Sequence, residues 1–157
     1  MALGRADDAS ARLQTLADAQ RDDDPKNPGG WIVWVAIADV AAYVRPGSAL
    51  DREAREKGNS TYFPDRVEPM LPEVLSNGLC SLKEGENRAC MAVRMVFDKD
   101  GRKTGHRFVR GLMRSHAKLS YEQAQAAIDG ETDDVTGPII EAILYPLWNA
   151  YSAMLKG

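Results

Sequence analysis

Residues 88–97, RACMAVRMVF, and 104–115, TGHRFVRGLMRS, flank the six residues DKDGRK. Two strand-like runs around an Asp-Gly pair predict an antiparallel β-hairpin, because Asp and Gly tolerate the backbone of a turn. A hairpin is marginal by itself in water, so it requires further strands or packed helices. WIVWVAIADV, residues 31–40, supplies the next strand. It is rich in β-branched and aromatic residues and apolar nearly throughout, which predicts burial on both faces.

Helices are signalled between and after these runs. In RPGSALDREAREKG, Ser48 stands as N-cap with Asp51 three residues on, and Gly58 closes the helix. A second helix starts at Ser120, where SYEQ reads as a capping box with the Gln123 side chain reaching back. Pro138 opens a third, PIIEAILYPLWNAYSAML, and Pro146 should kink or split it. Pro72 suits the first position of a short segment, PEVLSN. Residues 59–72 are extended, since Pro64, Pro69 and Pro72 exclude a helix interior. Near the N-terminus, Ala9, Ala11, Leu13, Leu16 and Ala17 give a weak helical stripe. RDDDPKNPGG follows as a hairpin tip or surface loop, with Asp-Pro, Asn-Pro and Gly-Gly close together. Together these elements predict an α+β fold with a mixed or antiparallel sheet and packed helices. The wide apolar face of the last helix (Ile140, Ile143, Leu144, Leu147, Trp148, Tyr151, Leu155) predicts a partner beyond this chain.

At 157 residues, 44% hydrophobic and 27% charged, the chain has the size and composition of one globular domain. The net charge of -3 means that any nucleic-acid site must be a local basic patch. The apolar run Trp31 to Val44 is broken by Asp39 and too short to span a bilayer, and MALGRADDAS lacks a secretory pattern. The expected location is the cytoplasm, where Cys80 and Cys90 would be buried thiols rather than a metal pair. Walker, nucleophile-elbow, dinucleotide and zincin motifs do not occur.

Three features could carry chemistry. The acids Asp7 and Asp8, and the run Asp22, Asp23 and Asp24, could ligate Mg²⁺, which takes hard oxygen donors, or could be solvated loop residues. Lys99, Arg102, Lys103, Arg107, Arg110, Arg114 and Lys118 fall within twenty residues that carry one acid, Asp100. Arg110, Arg114, His116 and Lys118 share strand parity, so they could track a phosphate backbone or form a solvated outer face. In STYFP, Tyr62 and Phe63 could stack bases beside Arg66, a core position suiting Phe63 better than Tyr62.

VAIADV, LDREAREKG, YFPDRVEPMLP and LSNGLCSL follow one another here in an order and spacing that resemble the catalytic RNB domain of the RNase II and RNase R exoribonucleases, closest to the RNase R branch. The likeness runs over roughly residues 25–155 and identifies the N-terminal part of such a domain, with residues 1–24 as a divergent segment. The resemblance implies 3′-to-5′, magnesium-dependent hydrolysis of single-stranded RNA to nucleoside 5′-monophosphates, with bases stacked on aromatics. It implies that Tyr62 packs against nucleotides near the 3′ end. The family's aspartate motif, D-x-x-D-A-R-D-F-D-D-A, has no full counterpart. Asp7-Asp8-Ala9, Asp18-Ala19 and the acids Asp22, Asp23 and Asp24 keep pieces of it, and Arg21 stands where an aspartate is required. The expectation is therefore a catalytically incomplete piece of the domain. Its rivals are a non-catalytic single-stranded RNA-binding module and a truncated product that needs the remainder of an RNB domain.

Overall fold

The structure is a computed structural model that describes residues 17–157. Four strands form one antiparallel sheet in the order β1 (Ala17–Arg21), β2 (Trp31–Ala38), β5 (Asn87–Phe97), β6 (Lys103–Arg114). The predicted hairpin is β5–β6, closed at Asp98-Lys99-Asp100-Gly101, with Gly101 at φ +83°. The sheet is antiparallel throughout, the simpler of the two expected arrangements.

Where the described residues meet the weak N-terminal stripe, the helix is not formed. Residues 17–21 pair with β2 from Ala17↔Val35 to Arg21↔Trp31. ADAQR has little strand propensity of its own, so the apolar β2 edge and the tip at 22–30 impose the strand. Ala9, Ala11, Leu13 and Leu16 lie outside the described residues. The tip is a loop as expected, tied down by the Asn27 side chain, which donates to Asp22 Oδ2 (2.8 Å) and to the Phe97 carbonyl (2.9 Å).

Trp31 through Trp34 are all buried, since both sheet faces are covered at that end of β2. On one face Ile32, Trp34 and Ala36 pack with Cys90, Ala92 and Met113. On the other, Trp31, Val33, Ala19 and Phe97 pack with Ala150, Leu147 and Met154 of the last helix. That helix stops short of the far end of β2, so Ile37, further along the same face, is 60% exposed. Burial on both faces thus holds for the first half of β2 and fails at its end.

Helix α1 (Ala49–Lys57) starts where predicted: the Ser48 hydroxyl accepts from the Asp51 N–H (3.2 Å), and Gly58 ends it at φ +74°. Helix α2 (Tyr121–Ile128) is capped by Ser120, whose hydroxyl accepts from the Gln123 N–H. The Gln123 side chain does not reach back; it donates to Asp133 Oδ2 at 2.7 Å, a stronger acceptor on the following loop. Pro146 splits the terminal segment. A 3₁₀ turn at Gly137–Ile139 and a π turn at Ile140–Leu144 precede α3 (Tyr145–Met154), in whose first turn Pro146 sits. Val74–Leu79 is likewise a π turn, with Leu75 buried. Of the last helix's expected apolar face, Leu144 is buried, whereas Trp148, Tyr151 and Leu155 are exposed.

Candidate nucleic-acid interface

Thr61–Tyr62 (β3) and Val67–Glu68 (β4) form a two-stranded hairpin, with Pro64-Asp65 at its tip. Pro64 presets the turn, and the Phe63 N–H donates to the Arg66 carbonyl at 2.8 Å. The Met70 N–H donates to Ser60 Oγ (3.0 Å) across the base of the hairpin, and Lys57 Nζ of α1 donates to the Pro69 carbonyl (3.4 Å). Tyr62 is 78% exposed, its ring free on an anchored hairpin. Phe63 is also exposed rather than in the core, because its ring serves as the bed for the Arg66 guanidinium, 4.6 Å from the centroid. Arg66 also pairs with Glu68 (3.2 Å) and Asp65 (3.3 Å), so its charge is locally neutralised.

Arg110 and Arg114 lie on one face of β6, opposite Met91 and Asn87. Arg110 crosses β5 to Asp39, with Nε 3.0 Å from Oδ2 and Nη2 donating to Oδ1 at 3.3 Å. Asp39 is 7% exposed and ends β2, its N–H donating to the Ala89 carbonyl. It is the acid that interrupts the apolar run, and its burial inside that run is the signal that it needs a cation. Arg114 is exposed and has no carboxylate partner among the described residues. His116 and Lys118 do not continue the stripe. The strand ends at Arg114; Ser115 then bridges to Glu84, and its hydroxyl donates to the Ala117 carbonyl, which turns the chain away. Sequence parity also selects Phe108, which sequence reasoning passed over. It is 65% exposed between Arg110 and His106, with the His106 ring edge-on at 5.5 Å.

The acids are placed differently. Asp7 and Asp8 lie outside the described residues. Asp18 is on β1 opposite Trp34 and has a contact of its own. Asp22 Oδ1 accepts from the Asp24 N–H (3.2 Å) and Asp24 Oδ1 from the Lys26 N–H (2.9 Å), so both shape the tip. Asp23 is exposed. Among the described residues no three His, Cys, Asp or Glu side chains gather to hold a metal ion. Mg²⁺ demands several oxygen ligands in near-octahedral array, and the described donors do not fit it. Cys90 is fully buried and Cys80 partly so; burial first, and the Asp39 charge as well, push both thiols above their ordinary range. Among the described residues no helix is long and apolar enough to cross a membrane.

An antiparallel α+β domain with an anchored aromatic hairpin and a basic edge strand has the parts of a single-strand-binding surface. Its sequence matches the model of the RNB domain family over residues 9–153, and the chain belongs to that family. It is 45% identical over 162 residues to Ribonuclease R of Escherichia coli (strain K12), covering 98% of this chain and 20% of that protein. Among solved structures it is similar to Mycoplasma genitalium RNase R in complex with ribose methylated single-stranded RNA. There the TM-score is 0.69 and the identity 30%, over 90% of this chain and 20% of the other. Yeast Ssd1, described as a pseudonuclease, shares the fold alone, with TM-score 0.65 and 19% identity. The chain thus spans about a fifth of the length of these RNase R relatives.

Proposed function

We propose that this chain is the RNA-gripping part of an RNase R-like 3′-to-5′ exoribonuclease of the cytoplasm. The whole enzyme would hydrolyse single-stranded RNA to nucleoside 5′-monophosphates with Mg²⁺. The observation that carries the reading is Tyr62, mostly exposed on a hairpin closed across its own base, in a chain of the RNB family. A base stacks on such a ring without regard to its identity, for about 1–3 kcal/mol. Arg114 supplies an unneutralised charge for a phosphate, whereas Arg66 lies over the Phe63 ring paired with Asp65 and Glu68, and Arg110 is paired with Asp39. The family's aspartate motif has no full counterpart in this sequence, so the purified chain is expected to bind RNA without cleaving it. Two-metal stabilisation of attacking and leaving oxygens needs those ligands.

The test is a 5′-labelled single-stranded RNA incubated with the chain in Mg²⁺ and in EDTA, then resolved on denaturing and native gels. Intact RNA that shifts on the native gel agrees with the reading. Magnesium-dependent shortening by single nucleotides would show that the acids at 7–8 or 18–24 complete a metal site. No shift at low salt would remove RNA as a partner of this chain.

A further inference from the structure

Asp18, Trp34, Arg94 and Arg107 form one row across all four strands, in register. Arg94 on β5 stands directly opposite Arg107 on β6. Side chains so paired share a face with Cβ atoms about 4.5–5.5 Å apart, and like charges there destabilise the ladder. No carboxylate relieves the repulsion: among the described residues neither guanidinium has an ion-pair or hydrogen-bond partner. The contrast is Arg110, which reaches across a whole strand to Asp39. Arg94 is the same two strand steps from Asp18 and makes no such pair; Asp18 has a contact elsewhere.

A second observation lies in the same row. Trp34, next to Arg94, is 5% exposed, and its indole N–H is buried without an acceptor among the described residues. Buried donors are nearly always satisfied, so each exception asks for a partner. Beside the two arginines, Gly105 faces Val96 with open space where a side chain would stand. The Arg94–Arg107 end of the row offers donors and room, and among the described residues no carboxylate pairs with either arginine.

We propose that Arg94 and Arg107 form a site for one phosphate group of a single-stranded RNA backbone, on the sheet face opposite Arg110 and Arg114. Planar guanidinium forks take phosphate oxygens in pairs, and a phosphate between them turns the repulsion into attraction. The choice of RNA as the source of that phosphate rests on the function proposed above; the anion site itself does not.

Thermal melts of the wild type, Arg94→Gln and Arg107→Gln in sodium phosphate and in sodium chloride at equal ionic strength read the site directly. In chloride both variants should melt above the wild type, because the repulsion is gone. Phosphate should raise the wild-type Tm more than that of either variant. Subtracting the variants removes the general stabilising effect of phosphate on proteins. Each variant should also flatten the dependence of log Kobs on log salt for a single-stranded oligoribonucleotide by about 0.7. Equal phosphate gains in all three proteins overturn the inference. So do unchanged salt slopes in proteins that bind RNA, which would leave the proposed function intact. A phosphate gain confined to the wild type, with no RNA binding, keeps the anion site and overturns RNA as its ligand.

Discussion

Arg110→Gln should destabilise the domain although Arg110 is a surface side chain. Its guanidinium is the only described ion-pair partner of Asp39, which is 7% exposed, and the two meet through both carboxylate oxygens. Removing one member of a fully buried pair costs about 3–5 kcal/mol, and of an exposed pair about 0.2–1 kcal/mol. The Arg110 side chain is 59% exposed, so water already screens the pair from one side and the loss falls between, at about 1–3 kcal/mol. Asp39→Asn should cost less, because the arginine it frees is exposed and solvated. The double variant should recover part of the loss, giving a coupling of about 1 kcal/mol. Urea unfolding followed by tryptophan fluorescence measures all three, as midpoint changes at constant m. An Arg110→Gln midpoint no lower than that of Lys99→Gln, at the exposed turn, would refute the reasoning. A costlier Asp39→Asn would refute it too.

Gly101→Ala should lower the Tm: at φ +83° an L side chain is strained, and a methyl there would collide with the Ala153 carbonyl where α3 ends. Gly47→Ala, with open space around it, provides the comparison for the strain alone. Asp133 accepts from the Thr136 N–H (2.7 Å), Thr136 Oγ1 (2.8 Å), the Val135 N–H (3.0 Å) and Gln123 (2.7 Å), which hold its carboxyl far below the usual range, the Thr136 N–H foremost. A depressed folded-state pKa contributes stability that is present above the unfolded value of about 3.9 and lost as pH falls below it. Asp133→Asn should therefore flatten the fall of stability between about pH 4 and pH 2, read by thermal melts across that range. Ser48→Ala and Ser120→Ala should each cost about 0.5–2 kcal/mol in the same melts, since each removes the acceptor of a first-turn N–H.

The features that could be read from the chain are those whose cause is local. Ser48 and Ser120 cap helices because the acceptor and the N–H lie three residues apart. The β5–β6 hairpin follows from its own turn, and Pro146 splits a helix through its missing N–H. The β1 strand was not legible, because ADAQR is ordered by pairing with β2 and not by its own propensity. The Asp39–Arg110 pair joins residues 71 positions apart, and only the sheet register brings them together. Strand parity served Arg110 and Arg114 and failed at His116, where Ser115 ends the strand. A core position suits Phe63 better than Tyr62 by composition, yet Phe63 is exposed, because nothing in its aromatic bulk signals that Arg66 lies over its ring. Tyr62 is marked by its extended, proline-flanked segment and by the family likeness, while the β3–β4 hairpin that carries it is visible only in the structure. Among the described residues the tip acids join no cluster of metal ligands, and Asp22 and Asp24 accept from tip backbone N–H groups and from Asn27, since a run of aspartates beside Asn and Pro serves the turn.

The most direct measurement is fluorescence anisotropy of a labelled single-stranded oligoribonucleotide at low salt, with the wild type and Tyr62→Ala side by side. The wild type should bind, and Tyr62→Ala should lose about 1–3 kcal/mol, roughly 5- to 150-fold in Kd, with its Tm unchanged because the ring is exposed. Identical isotherms for the two proteins, or no binding by the wild type, would contradict an RNA grip built on this hairpin.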